Sequence, residues 1–268
     1  MTQTTDSGQL LFSGYWNDHL VEIEENGNHR SLYFGDRSLQ SAMCLTMPHQ
    51  LVLPYTRYMA LALLLNSSLR NILVIGVGSG SFIRFFHHHF SGCHIDGVDY
   101  SPEVIQAARD YFQLPDDERI SMHCADGRSF LQQNCDSLYD LVLIDAFDDQ
   151  GMAPTVYSDF FFSLCARFLS PGGILSCNLW SNDKRRLQDI KSSLAVHFDS
   201  CLYLPVPDRG NIIAIVLPFA IPWQRICLKK KQLALLSKQY HIDFRRIVRV
   251  AKQNNLSLPK RISSWLGE

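Results

Sequence analysis

Along residues 70–217, short apolar runs alternate with longer segments whose apolar positions follow a helical spacing. Short apolar runs are typical of strands buried on both faces, and strand–helix alternation is typical of parallel sheets. The pattern therefore predicts an α/β domain that ends in an antiparallel pair of strands. The predicted strands span residues 72–75, 94–98, 120–124, 140–144, 174–178, 201–206 and 211–217.

The segment before this domain has a different pattern. Two strand-like runs flank Asn26-Gly27, which is a strong hairpin signal, and further strand candidates lie at 39–43 and 50–53. Residues 1–10 read as a polar leader, and 55–65 as a buried helix. We therefore predict a small β-rich module over residues 1–54, an α/β domain over 55–221, and a helical extension over 222–268.

The first predicted strand of the α/β domain stops at a glycine-rich turn. The turn consists of Gly76, Val77, Gly78, Ser79 and Gly80, and the next strand ends on an acid, Asp99. A strand, glycine turn, helix and acid-tipped strand form a unit that cradles nucleosides or nucleotides. The glycines let the backbone approach the ligand, and the acid is placed to accept hydrogen bonds from a ribose diol. The alternative is a tight turn without a ligand, with Asp99 as a cap of the following helix.

The spacing of the glycines narrows the class of ligand. A phosphate-binding loop is excluded because no Gly-Lys-Ser/Thr follows. The dinucleotide fingerprint is Gly-x-Gly-x-x-Gly, whereas this chain has Gly-x-Gly-x-Gly. The pattern suits ligands of the S-adenosylmethionine type better than NAD.

Two further predicted strands also end on acids. Asp126-Gly127 follows the third strand, and Asp145 and Asp148 follow the fourth. Ligands of open parallel sheets lie beyond the carboxyl ends of the strands, so these groups are predicted to share one rim with the glycine turn. Asp126 is placed to accept from an adenine amino group, and the other two acids to hold a cation or take a proton. The alternatives are a simple turn and an acidic surface loop.

The basic residues are distributed unevenly along the chain. The net charge is −1 and 46% of residues are apolar, so the whole chain has no bias toward nucleic acid. Residues 225–261, however, hold eleven Lys or Arg and one acid, Asp243. This tail reads either as a docking surface for RNA or anionic lipid or as a solvated helical face.

The sequence contains no strong signal for a metal site, a disulfide framework or a membrane span. The eight cysteines form no Cys-x-x-Cys pair, so a zinc site is not predicted. His87, His88 and His89 are consecutive, and consecutive side chains of a helix point to different sides, so no shared metal ion is predicted. The polar N-terminus and the lack of a long apolar run favour a cytoplasmic protein without a membrane span.

Several segments resemble the spermidine synthase (polyamine aminopropyltransferase) family, whose core is similar to that of S-adenosylmethionine-dependent methyltransferases. The resemblance covers about residues 30–217 and rests on NILVIGVGSGSF, GVDYSPEVIQAARDYF, CADGRSFL, YDLVLIDAFD and LSPGGILSCNL. It implies a Rossmann-like, seven-stranded, methyltransferase-type sheet behind a small β-rich N-terminal module. It also implies decarboxylated S-adenosylmethionine or S-adenosylmethionine as co-substrate, a small-molecule amine as acceptor, a homodimer, and no metal.

The resemblance assigns roles to individual residues. It implies that Asp99 binds the ribose, that Asp126 and Gly127 contact adenine, and that Gln40 touches the nucleoside. The glycine turn, with Gly76, Gly78, Ser79 and Gly80, would complete the binding site for the co-substrate. Asp145 would deprotonate the attacking amine, with Asp148 near it and Tyr55 assisting.

Three positions depart from the family pattern. Ser79 stands where the family has an Asp that holds the amine of the aminopropyl group. Arg57 replaces an acid after the tyrosine, and Asn178-Leu179-Trp180 replaces an acidic segment. Arg57 would suit a substrate carboxylate.

These features leave three hypotheses. The N-terminal module, Gln40, Asp145 and Asp148 favour an aminopropyltransferase that makes spermidine or a related polyamine. Ser79, Arg57 and the missing acids favour a methyltransferase on the same fold. The basic tail favours a non-catalytic, nucleoside-binding or RNA-associated protein.

Overall fold

The computed structural model describes residues 8–16, 19–35, 37–133, 137–148 and 151–256. Within these residues, the chain folds into a four-stranded antiparallel sheet followed by a seven-stranded, mostly parallel sheet with helices on both faces. The α/β class and the β-rich N-terminal module are confirmed.

The N-terminal sheet is a simple meander of β1 (Gln9–Trp16), β2 (His19–Asn26), β3 (His29–Phe34) and β4 (Ser38–Cys44). The predicted hairpin is confirmed, and Gly27 takes a φ of 55° in its turn. Strand β1 differs from the expectation of a polar leader over residues 1–10, since β1 already begins at Gln9. It forms because it pairs along its length with β2, and its own local sequence does not predict this pairing.

The segment after β4 contradicts one expectation. Residues 50–53 are not a strand but part of a loop between β4 and α1 (Pro54–Met59). The carbonyl oxygens of this loop accept hydrogen bonds from arginines instead of a neighbouring strand, with Arg84 Nε bonding to Pro48 and Arg57 Nε to Leu51. We call residues 45–53 the linking loop.

The predicted helix at 55–65 is present in two pieces, α1 and α2 (Ala62–Leu65). The junction is tightened by hydrogen bonds of the i to i+3 type, from Leu61 N to Tyr58 O and from Leu63 N to Ala60 O. The tighter winding keeps both pieces buried against the large sheet.

The rest of the chain alternates strands and helices, as predicted. In chain order the elements are β5 (Asn71–Ile75), α3 (Ser81–His89), β6 (His94–Asp99), α4 (Pro102–Tyr111), β7 (Ile120–Cys124), α5 (Gly127–Gln133), β8 (Tyr139–Ile144), β9 (Phe147–Asp148), β10 (Gly151–Met152), α6 (Asp159–Phe168), β11 (Leu169–Trp180), α7 (Lys184–His197), β12 (Ser200–Pro205), β13 (Asn211–Leu217), α8 (Trp223–Ile226), α9 (Lys230–Tyr240) and α10 (Phe244–Asn255).

The large sheet has the order β12-β13-β11-β8-β5-β6-β7. Strand β13 runs antiparallel to both of its neighbours, as the sequence predicted for the last pair, and the remaining pairs are parallel. Side chains of β5 alternate between two apolar layers, with Ile72 and Val74 on one face and Leu73 and Ile75 on the other. The central strands are therefore buried on both faces, which explains their continuous apolar sequences.

The basic extension packs against the α/β domain as far as residue 256. Ile226, Leu233, Phe244 and Ile247 are buried in the same apolar layer as α3. Asn255 pairs with the backbone of Tyr203, with Nδ2 donating to the carbonyl oxygen and Oδ1 accepting from the amide. This contact satisfies groups on the edge strand β12. None of the helices in the described ranges is long and apolar enough to cross a membrane.

A buried arginine joins three parts of the fold. Arg84 of α3 is 3% exposed, and it donates to the carbonyl oxygens of Pro48 in the linking loop (2.8 Å), Phe112 after α4 (2.7 Å), and Ser79 in the glycine turn. Burial lowers the pKa of its guanidinium to about 9, so the group is still mostly charged at neutral pH. The side chain thus holds the glycine turn, the linking loop and α4 in register.

Replacing Arg84 with Met keeps much of the apolar stem but removes the donors. We expect Arg84→Met to lower the free energy of unfolding by about 3 kcal/mol, because buried carbonyl oxygens lose their partners. Urea unfolding at constant pH measures this loss. The matched control is Arg109→Met on the exposed face of α4, which we expect to change stability by less than about 0.5 kcal/mol. Equal midpoints for the two variants would contradict the role assigned to Arg84.

Candidate active site

A cavity of about 680 Å³ opens at the carboxyl ends of the central strands, between the large sheet and β4. The tips of β5, β6, β8 and β11 form its floor, and α1 contributes one wall. The structure brings most of the predicted site residues to this cavity, namely Gln40, Tyr55, Gly76, Gly78, Asp99, Asp126, Gly127 and Asp145.

The glycine turn approaches the tip of β8 too closely for any side chain. Gly76 has a φ of 86°, and a Cβ atom built there would lie 2.2 Å from the carbonyl oxygen of Asp145. Gly78 and Gly80 also have positive φ, at 52° and 80°. The turn therefore requires glycine for conformational reasons, and it leaves backbone exposed to the cavity.

Asp99 forms the tip of β6 beneath this turn. Its Oδ2 accepts from the amide of Val77 (2.9 Å) and its Oδ1 from the amide of Ser101 (3.1 Å). Burial raises the pKa of Asp99, against the opposing effect of hydrogen bonds from backbone amides. The carboxylate is thus fixed in one orientation at the edge of the cavity.

Asp126 lies one strand further along the rim. Its Oδ1 accepts from the amide and hydroxyl of Ser129, and its Oδ2 accepts from Thr155 Oγ1 at 2.7 Å. Burial alone would raise the pKa of Asp126, but the hydrogen bonds from Thr155 and Ser129 outweigh it and lower the pKa. Thr155 was not identified from the sequence, because it lies in a loop without a recognisable motif. Thr155 also lines the cavity.

Asp145 lies on the other side of the glycine turn, at the tip of β8. Its Oδ2 accepts from the hydroxyl of Tyr55 (2.9 Å) and its Oδ1 from Asn178 Nδ2 (2.8 Å). Burial raises the pKa of this carboxyl to about 6, although both hydrogen bonds act to lower it. Burial also raises the pKa of Tyr55 well above its usual value, so the phenol stays protonated and remains a donor. The result is an oriented carboxylate that titrates near neutral pH.

Asn178 and Asn211 extend this hydrogen-bonded chain, and both residues line the cavity. Asn178 is 2% exposed, and its Oδ1 accepts from Asn211 Nδ2 at 2.9 Å, which fixes the amide with its NH₂ group toward Asp145. The sequence marked Asn178 only as a lost acid. Its position near the end of β11 was the available signal for a site residue, whereas Asn211 comes to the site through the antiparallel pairing of β13.

Other predicted residues occupy different surroundings. Ser79 is buried and does not itself line the cavity, but its hydroxyl lies 2.7 Å from Ser41 Oγ and 3.2 Å from Ser81 Oγ, and both of those residues line it. Gly80 begins α3 and packs against Leu114. The backbone of Asp148 pairs with Gly151 in the β9–β10 ribbon, and its proposed role stays a prediction. Asp149, the acid that follows Asp148 in the sequence, lies outside the described residues. Arg57 Nε bonds to the carbonyl oxygen of Leu51, so this arginine anchors the linking loop.

Comparison with known proteins identifies the same family as the sequence motifs. A sequence model of the spermine/spermidine synthase domain matches residues 53–207. A polyamine aminopropyltransferase from Chromobacterium violaceum is 35% identical over 239 residues, which cover 88% of this chain and 90% of that protein. The chain belongs to the spermine/spermidine synthase family.

Solved structures support the same fold for this family member. A spermidine synthase in complex with the transition state analogue AdoDATO superposes with a TM-score of 0.73 and 18% identity, over 97% of this chain and 88% of that one. Human methyltransferase-like protein 13 in complex with SAH superposes with a TM-score of 0.61 and 22% identity, over 74% of this chain and 93% of that one. At these identities the likeness concerns the fold, which is the predicted methyltransferase-type sheet.

Gly76→Ala tests the close approach of the glycine turn to β8. We expect it to lower the free energy of unfolding by at least about 2 kcal/mol, because the new methyl group meets the backbone of Asp145 at a positive φ. Chemical denaturation measures the change. Gly92→Ala is the control, since Gly92 has open space around it, and we expect a change within about 0.5 kcal/mol. A loss no larger than that of the control would show that the turn is not constrained as described.

Proposed function

We propose that this chain transfers an aminopropyl group from decarboxylated S-adenosylmethionine to an alkyl amine acceptor, as a polyamine aminopropyltransferase. The observation that carries the proposal is the position of Asp145. This carboxylate faces the cavity, is oriented by Tyr55 and Asn178, and has a pKa of about 6. Relatives with 35% identity along most of the chain are polyamine aminopropyltransferases.

The geometry of the rim supports separate binding positions for the different parts of the co-substrate within the cavity. Strands β6 and β8 flank β5, so the backbones of Asp99 and Asp145 are separated by two strand spacings, or about 10 Å. We infer that the ribose binds at Asp99, that the adenine contacts Asp126 and Gly127, and that the reacting sulfonium lies near Asp145. Gln40 contacts the nucleoside in this arrangement, because β4 faces the same cavity.

The reaction requires deprotonation and alignment. The amine nitrogen attacks the methylene carbon bonded to the sulfonium, the carbon–sulfur bond breaks, and its electron pair stays on sulfur, which leaves methylthioadenosine. An alkyl amine is mostly protonated at neutral pH, so a proton must leave before or during attack. Asp145 is mostly ionised at neutral pH with a pKa of about 6, and it accepts this proton while holding the amine in line. Tyr55 donates to the same carboxylate and keeps its second oxygen oriented.

A methyltransferase is the second candidate, and the uncharged Ser79 and Asn178 favour it. Neither side chain offers a carboxylate to the amine of an aminopropyl group, and Ser79 is engaged with Ser41.

The dimer, the RNA-associated role and the roles of individual site residues stay predictions. The residues of 222–256 do not contribute to the lining of the cavity, so an RNA-associated role would act elsewhere on the molecule.

Asp145→Asn is the direct test of the proposal. We expect kcat to fall by about 10²–10⁴-fold, because the proton acceptor is lost. Binding of methylthioadenosine should change little, because the nucleoside end of the cavity is intact. The assay incubates the protein with decarboxylated S-adenosylmethionine and a panel of di- and polyamines and follows methylthioadenosine by mass spectrometry.

The control for this assay is Asp110→Asn, on the exposed face of α4, which should retain full activity. Parallel reactions contain S-adenosylmethionine as donor. Methylated products with that donor, and no methylthioadenosine from the decarboxylated one, would replace the proposal with the methyltransferase. No turnover with either donor, despite binding, would point to the non-catalytic protein.

Tyr55→Phe tests the electrostatic part of the proposal. The phenol hydrogen bond stabilises the ionised form of Asp145 and lowers its pKa, so its removal raises the pKa above about 6. We therefore expect the acidic limb of the pH–kcat profile to move to higher pH in this variant. Comparison with wild type cancels the titration of the amine substrate. Tyr15→Phe, on an exposed residue, is the control, and an unshifted acidic limb in Tyr55→Phe would contradict the proposed coupling.

A further inference from the structure

Three histidines from two distant segments meet at the end of α3, outside the catalytic cavity. They are His49 of the linking loop and His88 and His89 in the last turn of α3. One ligand nitrogen from each lies within 4.8 Å of the other two. His87, the first of the three consecutive histidines, turns away and contacts Asp117 at 2.8 Å. The expectation that consecutive side chains of a helix diverge holds for His87 but not for His88 and His89, whose ligand nitrogens approach each other and that of His49, a residue far away along the chain.

The arrangement of the rings leaves one buried nitrogen of the cluster without a hydrogen-bond partner. The rings of His49 and His88 stack with centroids 3.6 Å apart, and His89 is nearly perpendicular to both. His89 Nε2 is buried and has no hydrogen-bond partner within the described part of the chain. A buried polar atom without a partner is costly and calls for an explanation such as an ion or a water molecule.

The donor set suits a transition metal ion. The ring of His89 is packed against Phe85 and Tyr240, with centroid distances of 4.7 and 5.0 Å, and its edge faces the rings of His49 and His88. Imidazole nitrogens are ligands that Zn²⁺, Ni²⁺ and Cu²⁺ prefer.

We propose that His49, His88 and His89 form a binding site for a divalent transition metal ion, with Zn²⁺ as the reference ion. Zinc–nitrogen bonds of about 2.0–2.1 Å place the nitrogens of a tetrahedral ion about 3.4 Å apart. Rotation of the side chains from their present spacing of up to 4.8 Å would bring the nitrogens to this geometry, with a water molecule as the fourth ligand on the exposed side of His88. The ion is not part of the proposed aminopropyl transfer.

The position of the site gives it a structural consequence. The linking loop leads directly into Pro54 and Tyr55, which line the catalytic cavity. The loop is already held at Pro48 by Arg84 and at Leu51 by Arg57, and His49 lies between these two anchors. A bound ion would add a third anchor to the loop, the second one to α3 after Arg84, and would stabilise the folded state by mass action.

The test is a titration of tag-free, chelator-stripped protein with Zn²⁺ alone, followed by isothermal calorimetry. The background is Cys124→Ser, which removes an exposed thiol that binds zinc. We expect one ion per chain, and we expect His49→Gln/His88→Gln to weaken binding by at least about 100-fold. The matched control is His29→Gln/His94→Gln, which alters two exposed histidines away from the cluster and should leave the affinity unchanged.

Two further readouts separate binding at this site from adventitious binding. Zn²⁺ should raise the unfolding temperature of the wild type and the control but not that of His49→Gln/His88→Gln, whose circular dichroism should match the wild type. Co²⁺ should give the intense visible bands of tetrahedral coordination only when His49 and His88 are present. Equal zinc affinity in both double variants would overturn the site, as would no binding by the wild type at roughly tenfold excess of Zn²⁺. No step uses a polyamine substrate, so the outcome is independent of the proposed function.

Discussion

The contact between the glycine turn and the tip of β8 is the constraint on which the site depends. Gly76 donates to the carbonyl oxygen of Val98 and the amide of Asp145 donates to that of Ile75, so the ends of β6, β5 and β8 are joined edge to edge. There is no room for a side chain at Gly76. This packing sets Asp99 on one side of the turn and Asp145 on the other, and thereby sets the spacing between the proposed ribose site and the proposed reaction centre.

The electrostatics of the cavity follow from how each carboxylate is buried. Three acids lie on one rim, yet the pKa is raised for Asp99 and Asp145 and lowered for Asp126. Hydrogen bonds from Thr155 and Ser129 outweigh burial at Asp126, whereas burial prevails at the other two. Asp145 has a pKa of about 6, so this carboxyl can exchange a proton near neutral pH.

Residues that do not line the cavity stabilise the structure around it. Arg84 connects the glycine turn to the linking loop and to the end of α4 through buried carbonyl oxygens. The C-terminal helices complete an apolar layer and cover the edge strand β12 through Asn255. Most of their basic side chains are exposed to solvent. This packing is compatible with a solvated helical face, one of the two interpretations that the sequence allows for the basic tail.

The sequence by itself determined the order of strands and helices, the hairpin at Gly27 and the acids at the strand tips, because these depend on local periodicity and turn chemistry. It also carried enough of the family pattern to indicate the fold and the class of co-substrate. Strand β1, the linking loop, Thr155, Asn211 and the meeting of His49 with His88 were decided by the tertiary structure alone. Each of these depends on a partner far away along the chain, such as β2 for β1, Arg84 for the loop and α3 for His49, and local sequence contains no information about such partners.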